Sequence, residues 1–218
     1  MTMAFPTDWQ RALIIVAHPD DPEYGLAPAV SKWTRQGKHV TYVLATSGEA
    51  GIEGMPPDEA GPLREQEQIR AGLQVGVKDI EFLGLPDSRL AEQPEELREA
   101  IAAAVRRHPA ELVISLYRGP EWGPGLPNQA DHIAVGDAVA DIVTNAWLFE
   151  NGPEPTHHVD VSDEDVQAAI NSLAEHEVYL SVLDPKTPVM SQARAQVYRS
   201  IARDGHDIRV GLRLINRP

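Results

Sequence analysis

The chain carries His18-Pro19-Asp20-Asp21 directly after the apolar run Ile14-Ile15-Val16-Ala17, and Pro22 and Glu23 follow. One imidazole and two adjacent carboxylates at the end of a strand suffice to hold a divalent cation and leave one carboxylate over as a base. A third ligand stands far along the chain at His132, preceded by Gln129-Ala130-Asp131. Two histidines and one aspartate with an open fourth position make a catalytic rather than a structural zinc arrangement, because the vacancy admits water and lowers its pKa toward neutrality. On this reading His18, Asp21 and His132 are ligands, and Asp20 takes the water's proton. Asp131 is available both to orient a ligating imidazole from behind and to cap the helix that His132 opens. Asp21-Pro22-Glu23 also reads as a plain helix opening, which explains Asp21 but neither His18 nor Asp20.

Positions 18–21 and 132 must be brought together by a scaffold. Strand-like and helix-like segments alternate in the manner of a parallel sheet with helices on both faces. Strands are expected at 12–17, 39–45, 79–83 and 111–116, with a last one at 207–214. Helices are expected at 24–36, 62–75, 94–107, 132–146 and 163–183. Right-handed crossovers make this a Rossmann-like α/β fold. No G-x-G-x-x-G turn follows the first strand, so the fold is not read as a nicotinamide binder. Two long loops rich in glycine and proline, 48–61 and 117–130, leave the second and fourth strands and overhang the crevice at their carboxyl ends.

Composition bounds the class. With 218 residues, 42% of them hydrophobic, the chain is read as one α/β domain over residues 1–218, with 150–218 as an extension of it. There is no cysteine, so a zinc site must use nitrogen and oxygen ligands. The first residues lack a basic start and a long apolar segment, and a cytoplasmic protein is expected. The net charge of -14 speaks against a nucleic-acid or membrane partner, since both reward a basic surface.

Four stretches carry a family resemblance: Ala17-His18-Pro19-Asp20-Asp21; Ala45-Thr46-Ser47-Gly48-Glu49-Ala50-Gly51; Arg64-Glu65-Gln66-Glu67 with Leu83-Gly84-Leu85-Pro86-Asp87; and Ala130-Asp131-His132. With the strand order they span residues 12–146, and the chain resembles the PIG-L or LmbE-like family of zinc-dependent de-N-acetylases. Those enzymes remove acetyl groups from N-acetylglucosaminyl conjugates and related small amides. The resemblance implies one zinc per chain on His18, Asp21 and His132, with Asp20 as general base. It implies a small-molecule partner, an N-acetylated amino sugar conjugate, touched by Arg64 and Asp87, although Arg64 and Glu67 also have the spacing of an ordinary helical ion pair. By the same analogy the chain forms trimers or hexamers.

One departure stands out. Many members of the family carry a histidine three residues before the last ligand, as acid or oxyanion partner, and this chain has Gln129. Glutamine in the substrate site donates a hydrogen bond but no proton. Either Asp20 serves as base and then as acid, or a histidine arrives from the C-terminal segment, with His176 the first choice ahead of His157 and His158. Glu49 and Arg118 read as solvated loop residues. The expected activity is metal-dependent amide hydrolysis. Two other readings stand beside it: a catalytically weak member of the same fold that binds its ligand without turnover, and a magnesium-binding receiver-like phosphoacceptor. The second offers Ser115 but no lysine at the fifth strand and leaves His18 and His132 unexplained.

Overall fold

Leu13, Ile14, Ile15 and Val16 are each at most 1% exposed, as expected of a strand covered on both faces. The computed structural model describes residues 2–218. In chain order its elements are β1 (Met3–Ala4), β2 (Arg11–Val16), α1 (Ala27–Arg35), β3 (His39–Leu44), α2 (Pro57–Gln74), β4 (Asp79–Phe82), a 3₁₀ turn (Leu90–Glu92), α3 (Pro94–Arg107) and β5 (Leu112–Leu116). They continue with β6 (Glu121–Gly123), β7 (Leu126–Pro127), α4 (Ala130–Ile142), β8 (Trp147–Asn151), β9 (His157–Val161), α5 (Asp163–Ala174), α6 (Glu177–Leu183), α7 (Val189–Ser200), β10 (Ile201–Asp204) and β11 (Asp207–Asn216).

The main sheet has the order β1-β9-β11-β8-β5-β2-β3-β4, with β10 paired to β11. From β8 to β4 every pairing is parallel, and β11 runs antiparallel to both β8 and β9. Strands are added outward from β2 to β3 and β4, after which the chain returns to lay β5 on the other side of β2. The order therefore reverses between β2 and β5, and their carboxyl ends open onto one crevice. His18 follows β2, and the loop leading to His132 follows β5. Helices α1, α2, α5 and α7 pack in one group and α3 packs with α4 in another. Right-handed crossovers put the two groups on opposite faces, which completes the expected mostly parallel α/β architecture.

Several boundaries differ from the sequence reading, each for a local reason. The first helix begins at Ala27 rather than at 24, because residues 20–26 form turns closed by Glu23 N–H to Asp20 O at 2.8 Å and Leu26 N–H to Pro22 O at 3.0 Å. The second begins at Pro57, so loop 48–61 is shorter than expected. Two prolines compete for the first helical turn; the earlier takes it, and Pro62 forfeits one helical hydrogen bond inside α2. Loop 117–130 holds the β6–β7 hairpin, turned by Gly125 at φ +75°. The expected helix 132–146 stops at Ile142, and the one at 163–183 breaks at His176 into α5 and α6. Strands β8 and β9 and helix α7 were not expected, and β9 and β11, from residues 150–218, join the same sheet as β2. Among the described residues no helix is long and apolar enough to cross a membrane.

Candidate metal centre and active site

Asp21 is the hub of the crevice. Its Oδ2 accepts the backbone N–H groups of Ala17 at 3.1 Å and His18 at 2.8 Å, which pins the end of β2. Asp21 is therefore not a helix cap; its carboxylate is engaged with the strand behind it. Its Oδ1 lies 3.0 Å from Nε2 of His132, and His18 Nδ1 lies 3.6 Å from Oδ2. The His132 contact is close but not aligned as a hydrogen bond, and among the described residues neither buried ring nitrogen of His132 has a hydrogen-bond partner. Burial works to raise the Asp21 pKa, but the imidazoles of His132 and His18 outweigh it and hold the carboxylate below its usual range.

His18 is braced from its other side. Its Nε2 lies 3.1 Å from Asp87 Oδ1 and 3.4 Å from Asp131 Oδ2. Both carboxylates are anchored in turn: Asp131 Oδ1 accepts the Leu90 N–H at 3.1 Å, and Asp87 Oδ2 accepts the Ala50 N–H at 2.9 Å. Burial pushes the His18 pKa down, yet Asp131, Asp21 and Asp87 together raise it well above 6.5. Nε2 is thus matched as a donor, leaving Nδ1 toward Asp21. Asp131 braces His18 and does not cap α4, whose N-cap is Gln129.

His18, Asp21 and His132 are all buried and place one ligand atom each within 4.8 Å of one another. Atoms bound about 2.0–2.2 Å from a shared zinc stand roughly 3.3–3.6 Å apart in a tetrahedron. His132 Nε2 approaches Asp21 Oδ1 at 3.0 Å while His18 Nδ1 approaches Oδ2 at 3.6 Å, so the carboxylate stands between the two imidazoles. With the two unpartnered nitrogens of His132, the donor set fits a divalent metal.

Asp20 sits beside this trio in a backbone conformation unusual for a non-glycine residue, φ +91°. The turn holds it there. Its N–H donates to Gln68 Oε1 at 2.8 Å, and its carbonyl accepts the N–H groups of Glu23 at 2.8 Å and Tyr24 at 3.2 Å. Burial pushes the Asp20 carboxyl up to about 6, against the pull of the Arg64 guanidinium. Arg64, buried on α2, donates to Pro19 O at 2.7 Å and Gly48 O at 2.9 Å and lies 3.6 Å from Asp20 Oδ2. A Cβ at Gly48, whose φ is +63°, would stand 2.2 Å from Arg64 Nη1, so the glycine makes room for the guanidinium.

Not every residue singled out in the sequence arrives at the crevice in the expected way. Arg64 and Asp87 have protein partners first, and Glu67 accepts the Val178 N–H at 2.7 Å rather than pairing with Arg64. Glu49 is not merely solvated, since its Oε1 accepts the Asp87 N–H at 2.8 Å. Gln129 is exposed at the start of α4. Arg118 lies within 3.5 Å of Asp137 and 3.8 Å of Glu150. His157 and His158 stand on β9, hydrogen-bonded to Thr156 and Thr2. His176 is fully buried, with Nε2 3.5 Å from Glu23 Oε2. It lies behind Asp20 through Gln68, whose Nε2 donates to Glu23 Oε1 and Oε2 at 3.2 and 3.3 Å.

The sequence reading missed Gln68 and Tyr179. Gln68 had a signal, since it is one helical turn after Arg64 on the same face of α2. Tyr179 had none; only the break at His176 brings its ring over the Arg64 guanidinium, 4.1 Å from ring centre to Cζ.

The family profile described as GlcNAc-PI de-N-acetylase, PIG-L, matches residues 13–143. A probable N-acetyl-alpha-D-glucosaminyl L-malate deacetylase 2 from Bacillus anthracis is 37% identical over 148 residues, covering 65% of this chain and 62% of that protein. The match thus spans less than two thirds of that relative's length. The solved N,N'-diacetylchitobiose deacetylase of Pyrococcus horikoshii shares the fold with TM-score 0.73 at 19% identity, over 95% of this chain and 84% of that one. GalB, a 4-carboxy-2-hydroxymuconate hydratase from Pseudomonas putida, shares it with TM-score 0.64 at 20% identity, over 96% and 97%. The fold alone therefore does not select one reaction. With the profile covering residues 13–143, a stretch that includes His18, Asp21 and His132, the chain belongs to the PIG-L family.

Proposed function

We propose that the chain is a zinc-dependent amide hydrolase that removes the acetyl group from an N-acetylglucosaminyl conjugate. The observation that carries this reading is His132, whose two buried nitrogens lack hydrogen-bond partners among the described residues while Nε2 stands 3.0 Å from Asp21 Oδ1. Zinc held by His18, Asp21 and His132 would polarise the acetyl carbonyl and lower the pKa of water at the open position. Asp87 and Asp131 keep the His18 ring turned so that Nδ1 is the ligand atom. Asp20 takes a proton from the attacking water on its carboxylate and returns it to the departing amine nitrogen. A carboxyl raised to about 6 suits both steps, because it exchanges its proton near neutrality. Arg64 holds the Pro19 carbonyl and so fixes the turn that presents Asp20. Gln129, exposed at the start of α4, would contribute a hydrogen-bond donor to the substrate but no proton.

The malate conjugate named in the description of the Bacillus anthracis relative, a probable deacetylase, supplies the first substrate to try. The test is elemental analysis of chelator-free protein beside His18→Ala and Asp20→Ala variants, with amine release from N-acetylglucosaminyl malate. About one zinc per chain in the parent, lost in His18→Ala and kept in Asp20→Ala, together with activity only in the parent, is the expected result. Zinc bound without turnover favours the ligand-binding reading. No transition metal taken up even when offered removes the hydrolase reading altogether.

A further inference from the structure

His176 stands outside residues 13–143, the stretch that the family profile matches, yet its side chain is fully buried. The chain breaks there between α5 and α6, and both sides of the break are tied to α2. Before it, Glu175 accepts from Gln74 Nε2 at 2.7 Å and from Arg70 Nε at 3.2 Å; after it, the Val178 N–H donates to Glu67 at 2.7 Å. These ties fix the imidazole relative to Gln68, which is also on α2. Neither ring nitrogen of His176 has an aligned hydrogen-bond partner among the described residues. An apolar side chain of that size would be buried at less cost, so stability does not account for the ring. What it faces does.

The ring faces Glu23, a carboxylate that is likewise fully buried. Three side chains approach it: Gln68 Nε2 at 3.2 and 3.3 Å, Ser172 Oγ at 3.3 Å and His176 Nε2 at 3.5 Å. Ser172 has a single hydrogen and lies closer to Ala71 O, at 2.8 Å, which leaves Gln68 and His176 to hold the carboxylate. The same Gln68 amide accepts the Asp20 N–H through its oxygen. We propose that His176 is a positioning residue for the hydrolysis: it fixes the Glu23 carboxylate on which the Gln68 amide hangs, and through that amide the backbone of Asp20. This rests on the deacetylase reading. His176 is not the acid that the sequence reading made of it, since it is walled off from the crevice and no bond is made or broken at it; proton transfer stays with Asp20. Without the ring the carboxylate gains room to turn, the amide follows it, and the base loses its aim.

Zinc-loaded parent, His176→Leu, His176→Gln, Gln68→Leu and the double variant of Gln68→Leu with His176→Leu are compared for amine release from N-acetylglucosaminyl malate. The expected result is a kcat about 10–10²-fold lower in His176→Leu, with KM and zinc content unchanged. His176→Gln, whose amide can donate to Glu23, should recover most of it. In the double variant the two losses should not multiply, because both act through one amide. Ile170→Ala, a truncation of the buried face of α5, is the control for mere destabilisation: it should lower Tm and leave kcat parent-like. A second readout needs no substrate. The Asp20 N–H should exchange its hydrogen faster in His176→Leu, while those of Ala17 and His18, which Asp21 holds, keep the parent rate. Should His176→Leu fail to fold, His176→Asn, whose shorter amide falls short of Glu23, takes its place. A parent-like kcat with parent-like Asp20 exchange, or losses that multiply in the double variant, overturns the role of His176 and leaves the deacetylase reading standing. A parent that releases no amine overturns the deacetylase reading and, with it, this role in hydrolysis.

Discussion

Gln68 holds Asp20 by its backbone: Oε1 accepts the Asp20 N–H at 2.8 Å, and the same amide turns its Nε2 to both carboxylate oxygens of Glu23. The amide cannot flip without losing both contacts, since its oxygen would then face a carboxylate. We expect Gln68→Leu to keep its zinc yet lower kcat by about 10²-fold, because a misplaced base costs roughly that much. Stability should fall by about 1–3 kcal/mol, because the buried Asp20 N–H loses its acceptor while Glu23 keeps only Ser172 and His176 beside it. Metal analysis, kcat and urea unfolding on one preparation check all three.

The two carboxylates behind His18 should matter for metal affinity rather than for the chemistry. Asp131→Asn and Asp87→Asn are each expected to weaken zinc binding about 10–100-fold while saturating zinc restores most of kcat. Competition against a chromophoric chelator measures it. Unchanged affinity in both variants would mean that the His18 ring is oriented by other contacts.

Gly48→Ala tests the cradle around Arg64. The left-handed backbone costs a non-glycine residue roughly 1–2 kcal/mol, and the added methyl must displace the guanidinium. We expect a lower Tm and a fall in kcat/KM, with zinc content preserved. Gly54, at φ +80°, is also left-handed, but a methyl there meets nothing within 4 Å, so Gly54→Ala should lower Tm alone.

Asp165 gives the fold a pH dependence remote from the crevice. Burial works to raise its pKa, but the Ser162 backbone and hydroxyl, Arg35 and Ser31 outweigh it and hold the carboxylate below the usual range. A lowered folded-state pKa means that this stabilisation is fully present above the unfolded value, about 3.9, and is lost as pH falls through the folded one. Asp165→Ala should cost about 1–2 kcal/mol at pH 7 through the lost capping box with Ser162. The gap between parent and variant should close as the pH drops below about 4, read from urea midpoints across pH.

How far the sequence carried depended on whether a signal was local. His18, Asp20 and Asp21 were legible because they stand where an apolar segment gives way at the carboxyl end of a strand, and His132 because it opens the helix after a long loop. Asp131 was legible as a carboxylate that orients an imidazole, but its meeting with Asp87 on His18 was not, since that depends on how the end of β2, the loop after β4 and the start of α4 come together. β8 hid because its interior carries Glu150, an acid made compatible with burial by the distant partners Arg213, 2.7 Å away, and Arg118, 3.8 Å away. α7 hid because just Ala193 and Val197 mark its inner face. The inward turn of His176 depended on a break in a helical pattern that periodicity alone carries straight through.

The position of β11 between β8 and β9 ties the two ends of the chain together. β9 meets the rest of the sheet through β11, and β1 meets it through β9. During synthesis, then, the segment from β2 to β8 can assemble with His18, Asp21 and His132 in place, whereas β9 and β1 wait for nearly the last residues to emerge. Until then β8 is an open edge with unpaired backbone groups, a template for another chain. Loss of the β10–β11 hairpin would freeze the protein at that stage, so damage there should show first as aggregation rather than as a weakened metal site.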